Sequence, residues 1–317
     1  MKIVYFAAFI GEGNTEEYIA RALERAGHEV IRVEDFRNDD AGVVAVLQRE
    51  QPDVFLFCKL NFRVMGACEE QITRSVALLT EGRKVSKAAF VCWVFDPMGP
   101  WYDKKRFAWA SAVLPLCDVF AVTDGRTVET MPGTSLVRQG VPDDVRIGTS
   151  VVGLECDVLF LGGNYHPERK RMIQMLRDEF GDRFRHVREG VRGPETADLL
   201  ASAKIIVGPA WPTAPGYWSN RLYLITGYGG FLFAPEIAGM REEGWMPDVH
   251  YAPWVWEDGH DPLETLIPQL RAWLAPGKEI TRARVARSGQ ILALSQFRYD
   301  DRIRELLRHI RAKTGAT

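Results

Sequence analysis

Short apolar runs alternate with amphipathic segments along the first half of the chain. Five of these runs predict buried strands, at residues 2–8, 29–33, 53–58, 88–95 and 118–123. The segments between them are long enough to form crossover helices. Because the runs are apolar on both faces, they predict a parallel sheet that helices cover on both sides.

The same alternation starts again after a polar connection at residues 142–153. A strand is predicted at 157–161, followed by the pair Gly162-Gly163 and by a helix at 167–180. Further strands are predicted at 184–187, 204–207, 230–233 and near 249–251, with helices at 194–201, 221–227 and 262–273. The chain is therefore predicted to form two tandem Rossmann-like, doubly wound α/β domains, residues 1–148 and 149–317, whose strand ends face a shared cleft.

A last helix is predicted over residues 300–312. Its apolar residues recur at i, i+3, i+4 and i+7 and are Ile303, Leu306, Leu307 and Ile310. A stripe of this kind must be buried against another apolar surface. Two partners are open: the second domain, to which the helix belongs in sequence, or the first domain, if the helix crosses back.

Composition and charge exclude several classes of protein. The chain has 317 residues, 46% of them hydrophobic, and a formal net charge of -2, which does not favour a general nucleic-acid-binding protein. Residues 282–317 do hold nine lysines and arginines against three acidic residues, a pattern usual for a solvated helix face. No apolar run approaches the roughly 18 residues of a membrane span, so we expect a cytoplasmic protein. The five scattered cysteines indicate neither a disulfide framework nor a zinc site.

Ser219, Asn220 and Arg221 stand directly before an apolar segment that is predicted to be a helix and then a strand. Ser219 or Asn220 can cap the helix, while Arg221 offers a fork of N–H donors that suits phosphate oxygens. The backbone amides and the dipole at a helix start also attract negative charge. We therefore expect an anion site here, with a plain helix cap and a surface ion pair as the alternative.

A second glycine turn supports that expectation. Gly162, Gly163 and Asn164 follow a predicted strand of the same domain, and Arg169 stands in the first turn of the next predicted helix. Because the carboxyl ends of parallel strands meet at one edge of the sheet, both helix starts should face the same cleft.

Asp96 follows the predicted strand at 88–95 and is held by Pro97. Trp101 and Tyr102 are close in sequence and can stack on a flat or sugar-like ligand. A carboxylate in this position can remove a proton from a hydroxyl group if partial burial raises its pKa. The alternative is an aspartate that only caps the following turn, which is common for Asp-Pro.

The sequence lacks the common signatures of metal sites, hydrolases and NTPases. It contains no D-x-D, H-x-x-x-H or G-x-S-x-G pattern, and no Walker lysine follows a glycine loop. We expect neither a metal ion nor a cofactor, and a bound small molecule should be a substrate.

Four stretches, taken together, resemble a known family. They are "DVLFLGGNYHPERKRMIQML", "SAKIIVGPA", "SNRLYLITGYGGFLFAPE" and "LSQFRYDDRIRELLRHI". Their order and spacing resemble the GT-B glycosyltransferases, and within them the spore-maturation CgeB-like group with its "glycosyl transferases group 1" type C-terminal domain. The likeness covers most of residues 155–312 and, more loosely, the first domain through "CWVFDP".

The resemblance implies a metal-independent hexosyltransferase. A nucleotide-diphosphate sugar would bind mainly to the second domain, and a hydroxyl acceptor would face the first domain. Residues Gly162, Gly163 and Asn164 would lie near the diphosphate, and Ser219, Asn220 and Arg221 would flank the donor, with Arg169 close by. Asp96 matches the acidic position after the fourth strand and is the candidate base.

The chain departs from the family pattern at Leu224, where many relatives have a glutamate that holds the ribose hydroxyls. The E-x7-E arrangement of many retaining members is also absent, since position 216 is glycine. Its absence favours an inverting mechanism. Two alternatives stay open: a catalytically silent binding or assembly protein, and a glycosyltransferase that acts on hydroxymethylated DNA bases.

Overall fold

The structure of the chain is a computed structural model. It describes residues 1–9, 11, 13–35, 39–58, 69–99, 102–163, 166–188, 194–208, 214–257 and 259–315. The chain divides into two compact units. The first contains Met1–Gln139 and Tyr299–Thr317, and the second contains Gly140–Arg298.

The first unit is a six-stranded parallel sheet with helices on both faces. Its strands are β1 (Lys2–Ala7), β2 (Glu29–Glu34), β3 (Val54–Phe57), β4 (Ala89–Val94), β5 (Val119–Val122) and β6 (Thr134–Leu136), in the order β2-β1-β3-β4-β5-β6. Its helices include α1 (Thr15–Arg25), α2 (Asp40–Glu50), α3 (Glu69–Val85), α4 (Lys104–Val113) and α5 (Gly125–Thr130). The central strands β3, β4 and β5 are buried on both faces, as their continuous apolar runs predict.

The second unit is a five-stranded parallel sheet of the same kind. Its strands are β7 (Cys156–Leu161), β8 (Phe184–Val187), β9 (Ala203–Val207), β10 (Leu232–Pro235) and β11 (Ala252–Trp254), in the order β11-β10-β9-β7-β8. Its helices are α6 (Pro167–Phe180), α7 (Pro194–Ala201), α8 (Arg221–Gly227), α9 (Pro262–Leu274) and α10 (Glu279–Gln296). The predicted class of two doubly wound α/β units is therefore confirmed.

The last helix, α11 (Tyr299–Thr314), belongs to the first unit. Its four apolar residues are buried in the same core as β4, β5 and α1. The ring of Tyr299 stacks on Tyr18 at a centroid distance of 6.0 Å, and Asp300 forms an ion pair of 2.6 Å with Arg25. Of the two partners that the sequence left open, the helix packs on the first unit.

Asp124 caps α5 from a fully buried position. Its Oδ1 accepts a hydrogen bond of 2.6 Å from the Thr127 amide. Burial removes water from the carboxylate and raises the pKa of Asp124, although hydrogen bonds from Thr127 and the charge of Arg138 oppose the shift. Because the folded state binds this proton more tightly than the unfolded chain, the group contributes stability at low pH that is lost as pH rises through its folded pKa.

Replacing Asp124 with Asn should therefore raise the Tm at neutral pH, since Asn keeps a capping oxygen and carries no charge. The gain should shrink as pH falls through the raised pKa of folded Asp124, where the folded group becomes protonated, and should be smallest below about 4, the ordinary pKa of aspartate. Thermal unfolding at several pH values measures this. Asp124→Ala is the control, since it removes the charge and also the cap, and should be about 1 kcal/mol less stable than the Asn variant. A lower Tm for Asp124→Asn at neutral pH would contradict the prediction.

Candidate functional site

The second sheet has a topological switch point between β7 and β9. From β7 the chain runs outward to β8 on one side and then returns through β9, β10 and β11 on the other. All the strands are parallel, so their carboxyl ends share one edge. In open α/β sheets, ligands bind outside that edge at the switch point. The segments that reach it are the Gly162-Gly163 turn after β7 and Gly208 after β9.

Arg221, the first residue of α8, reaches across this switch point to the end of β7. Its Nε donates a hydrogen bond of 2.7 Å to the Leu161 carbonyl, and Nη1 makes a long contact of 3.4 Å with the Ser219 hydroxyl. The guanidinium lies against Gly162, where a Cβ atom would overlap it. Gly162 also has a φ of +141, which favours glycine. The two motifs that the sequence singled out separately therefore form one cluster.

The Arg221 cluster is strongly positive. Burial, with a smaller contribution from the charge of Arg169, lowers the pKa of Arg221 to about 10, so the side chain stays charged at neutral pH. Arg169 lies in the first turn of α6 and is partly buried. Among the described residues, no carboxylate forms an ion pair with Arg221. A bound anion would therefore relieve an electrostatic cost that the folded protein carries.

His186, on β8, also contacts the glycine turn. The sequence did not predict this contact. The His186 Nε2 lies 2.9 Å from the Gly162 carbonyl oxygen, and the His186 ring stacks on Phe160. The Gly162 amide donates to the Val187 carbonyl at 2.9 Å. Because C=O and N–H point in opposite directions across a trans peptide, the bond to Gly162 O also fixes the direction of the Gly163 N–H. That amide points away from His186.

The sequence predicts three further site residues in the second unit: Gly163, Asn164 and Asn220. Gly163 follows Gly162 in the turn and is partly buried, and Asn164 lies outside the described residues. Asn220 occupies the N-cap position of α8 but has helical backbone angles, and its side chain makes no capping hydrogen bond. The Ser219 and Asn220 carbonyls instead accept hydrogen bonds from the amides of Leu222 and Leu224. With only seven residues in α8, the positive charge comes from the guanidinium groups rather than from a long helix dipole.

A small, partly open pocket adjoins Arg221 on the side of β9 and β10. Ser219 and Arg221 are the polar side chains of its wall, apart from an indole N–H. The rest of its lining is Gly208, Trp218, Leu222, Leu232, Ala234, Pro235, Ile237 and Met240. The Trp218 indole N–H already donates to the Tyr223 hydroxyl at 2.9 Å. The wall is therefore almost wholly apolar, with a cation at one place.

Asp96 lies in the first unit, just after β4, and is partly exposed. Its Oδ2 forms an ion pair of 3.1 Å with Arg106 of α4. The same guanidinium lies over the Tyr102 ring, 5.4 Å from its centroid, and 3.7 Å from Asp103. Trp101, the other aromatic residue predicted here, lies outside the described residues. Asp96 is therefore oriented by a partner ten residues later in the chain.

The described residues lack two features. No group of three or more His, Cys, Asp or Glu side chains in this part of the chain is arranged to hold a metal ion. None of its helices is long and apolar enough to cross a membrane.

Solved structures that are similar to this chain include glycosyltransferases. The HepE protein of Anabaena, solved with UDP-glucose, is 12% identical, with 98% of this chain and 100% of that chain covered and a TM-score of 0.64. A sucrose-phosphate synthase from Thermosynechococcus elongatus is 13% identical, with 98% and 99% covered and a TM-score of 0.68. An alpha-glucosyltransferase solved with UDP and a mismatched 13-mer DNA is 10% identical, with 98% and 99% covered and a TM-score of 0.61.

The fold is the GT-B fold. No protein-family model matches the sequence, and no curated protein matches it either. The GT-B fold predicted from the resemblance is confirmed, whereas the CgeB-like subgroup stays a prediction.

Gly162→Ala should destabilise the protein by more than the ordinary cost of a left-handed backbone. Gly153→Ala in the same unit is the matched control, because Gly153 has a φ of +86 but open space where a Cβ would lie. The excess cost at Gly162 should disappear in an Arg221→Ala background, where no guanidinium meets the new methyl group. A double-mutant cycle from urea unfolding measures this coupling. Equal costs at the two glycines would contradict the described contact.

Proposed function

We propose that this protein is a glycosyltransferase that moves a hexosyl group from a nucleotide-diphosphate sugar to a hydroxyl acceptor. The observation that carries the proposal is the partly buried Arg221 guanidinium held against the Gly162 turn, at the switch point of the second sheet. Neighbours with the same fold include proteins solved with UDP-glucose and with UDP. Membership of the CgeB-like group and a cytoplasmic location are inferred from the sequence alone.

The second unit would bind the donor. Arg221 and Arg169 would supply positive charge to the diphosphate, and the Gly163 amide, oriented through His186, would donate a hydrogen bond to it. Asn164 would complete the turn. Ser219 and Asn220 would lie beside the donor through their backbone and side-chain polar groups. In this scheme the guanidinium groups stabilise the leaving diphosphate, so we propose that no metal takes part.

The first unit would bind the acceptor, with Asp96 as the general base. Asp96 would take the proton of the acceptor hydroxyl while that oxygen attacks the anomeric carbon. The bond from this carbon to the diphosphate breaks at the same time, and its electron pair leaves with the diphosphate. Such a single displacement inverts the configuration at the anomeric carbon. Arg106 would orient the Asp96 carboxylate through their 3.1 Å ion pair.

Leu224 favours a second candidate, a catalytically silent binding protein. Its side chain packs against the core of the second unit and offers no acceptor for ribose hydroxyls. Donor binding separates the two candidates. A nucleotide sugar at about 100 times its Kd should stabilise an active protein by about 2.7 kcal/mol. A silent protein that binds no nucleotide sugar should show no shift of Tm with any member of a donor panel.

Arg221→Ala should weaken nucleotide-sugar binding by about 10- to 100-fold, because it removes charge-assisted hydrogen bonds of about 1.5–3 kcal/mol. Arg221→Lys, which keeps the charge but loses the fork of donors, should recover part of the affinity. Calorimetric titration with a donor panel that includes UDP-glucose measures both. Arg271→Ala is the control, since Arg271 forms an exposed ion pair with Glu179 in the same unit. Unchanged affinity in Arg221→Ala would dismiss the proposed anion site.

Asp96→Asn should leave donor binding unchanged and reduce transfer by at least about 100-fold, the usual contribution of a general base. Release of nucleoside diphosphate from the donor, in the presence of a panel of hydroxyl acceptors, measures transfer. Asp103→Asn is the matched control, because Asp103 also lies beside Arg106 and its Asn replacement keeps the cap of α4. Full turnover by Asp96→Asn would reject Asp96 as the base.

A further inference from the structure

The pocket beside Arg221 indicates what kind of group lies next to the anion. Arg221 is at once a neighbour of Gly162 and a part of the pocket wall. A ligand whose phosphate is bound at Arg221 therefore places its adjoining group within reach of the pocket. Beyond Ser219 and Arg221, the side chains that this group would meet are mostly apolar and include Leu232, Ala234, Ile237 and Met240.

Three polar atoms of this wall already have hydrogen-bond partners. The Trp218 indole N–H donates to Tyr223, and the Met240 sulfur accepts from the Ile237 amide at 3.4 Å. The Gly208 amide donates to the Phe233 carbonyl at 2.9 Å. Among the described residues, a sugar hydroxyl that enters the pocket loses water and finds only the Ser219 hydroxyl and the Arg221 guanidinium as side-chain partners, whereas a methyl or methylene group gains from burial.

We propose that the donor is a deoxygenated nucleotide sugar, one in which a carbon next to the pocket lacks its hydroxyl. This inference rests on the proposed function. Two donors share the chemistry: one with a 2′-deoxyribose, as in dTDP-sugars, and one that transfers a 6-deoxyhexose. An apolar pocket discriminates against an added hydroxyl by about 10- to 100-fold, so the preference is measurable.

Four donors separate the two sources: UDP-glucose, UDP-6-deoxyglucose, dUDP-glucose and dUDP-6-deoxyglucose. The dUDP donors differ from the UDP donors only in the 2′-hydroxyl. The Kd values of all four donors are measured on the full chain by calorimetry. Tighter binding of both dUDP donors assigns the pocket to the deoxyribose, and tighter binding of both 6-deoxy donors assigns it to the transferred sugar. If UDP-glucose binds as tightly as the other three donors, the inference is overturned. If none of the four binds, or if Arg221→Ala leaves all four affinities unchanged, the proposed function fails instead.

Ala234→Ser gives a second measurement, because it adds one hydroxyl to the pocket wall with little change of volume. The Ala234 Cβ lies 3.5 Å from where a Cβ on Gly208 would be. The variant should reduce the preference for the deoxygenated donor several-fold. Ala203→Ser is the control, because Ala203 lies at the start of β9 and is not part of the pocket wall. This variant should leave the preference for the deoxygenated donor unchanged. An equal preference in Ala234→Ser and Ala203→Ser would contradict the assignment of this pocket.

Discussion

The contact between the Arg221 guanidinium and Gly162 determines the shape of the candidate site. It joins the start of α8 to the end of β7 across the switch point, through the 2.7 Å hydrogen bond to the Leu161 carbonyl. The contact is possible only because residue 162 has no Cβ. Burial and the charge of Arg169 both disfavour the charged form of Arg221. Two cations held close together carry an electrostatic cost, which the proposed diphosphate ligand would relieve.

Much of the fold follows from local sequence patterns. The helices at 167–180, 194–201 and 221–227 have the bounds that the sequence predicts, because each is delimited by a clear start or stop signal, such as Pro167 at the start of α6. α10 was not predicted. Its buried face consists of Val285, Ala293 and a few polar residues, and Gly289 lets the helix approach the His250 carbonyl closely. A face with so few apolar residues gives almost no periodic signal.

The candidate site was predictable only in part. The glycine turn and Arg221 each follow from chain order, since the carboxyl ends of parallel strands meet at one edge. His186 was not predictable as a partner of Gly162, because the hydrogen bond depends on the register of β8 against β7, in which His186 pairs with Phe160. The Asp96 and Arg106 pair was missed for a similar reason: it depends on how α4 packs beside the end of β4.

Near Arg221, the described residues of the second unit offer positive charge but few partners for hydroxyl groups, and this balance would limit how the proposed donor is recognised. Leu224 provides no acceptor, and the wall of the adjoining pocket is almost wholly apolar. Binding would then be led by the diphosphate, which is common to all nucleotide sugars and so confers no selectivity among them. Selectivity among donors would then come from the shape of the pocket and from the free-energy cost of burying donor hydroxyls without hydrogen-bond partners. Under the proposed function, such a site would select against donors with many hydroxyl groups, because it offers those hydroxyls few hydrogen-bond partners. An apolar wall beside a cation is therefore informative about the proposed substrate.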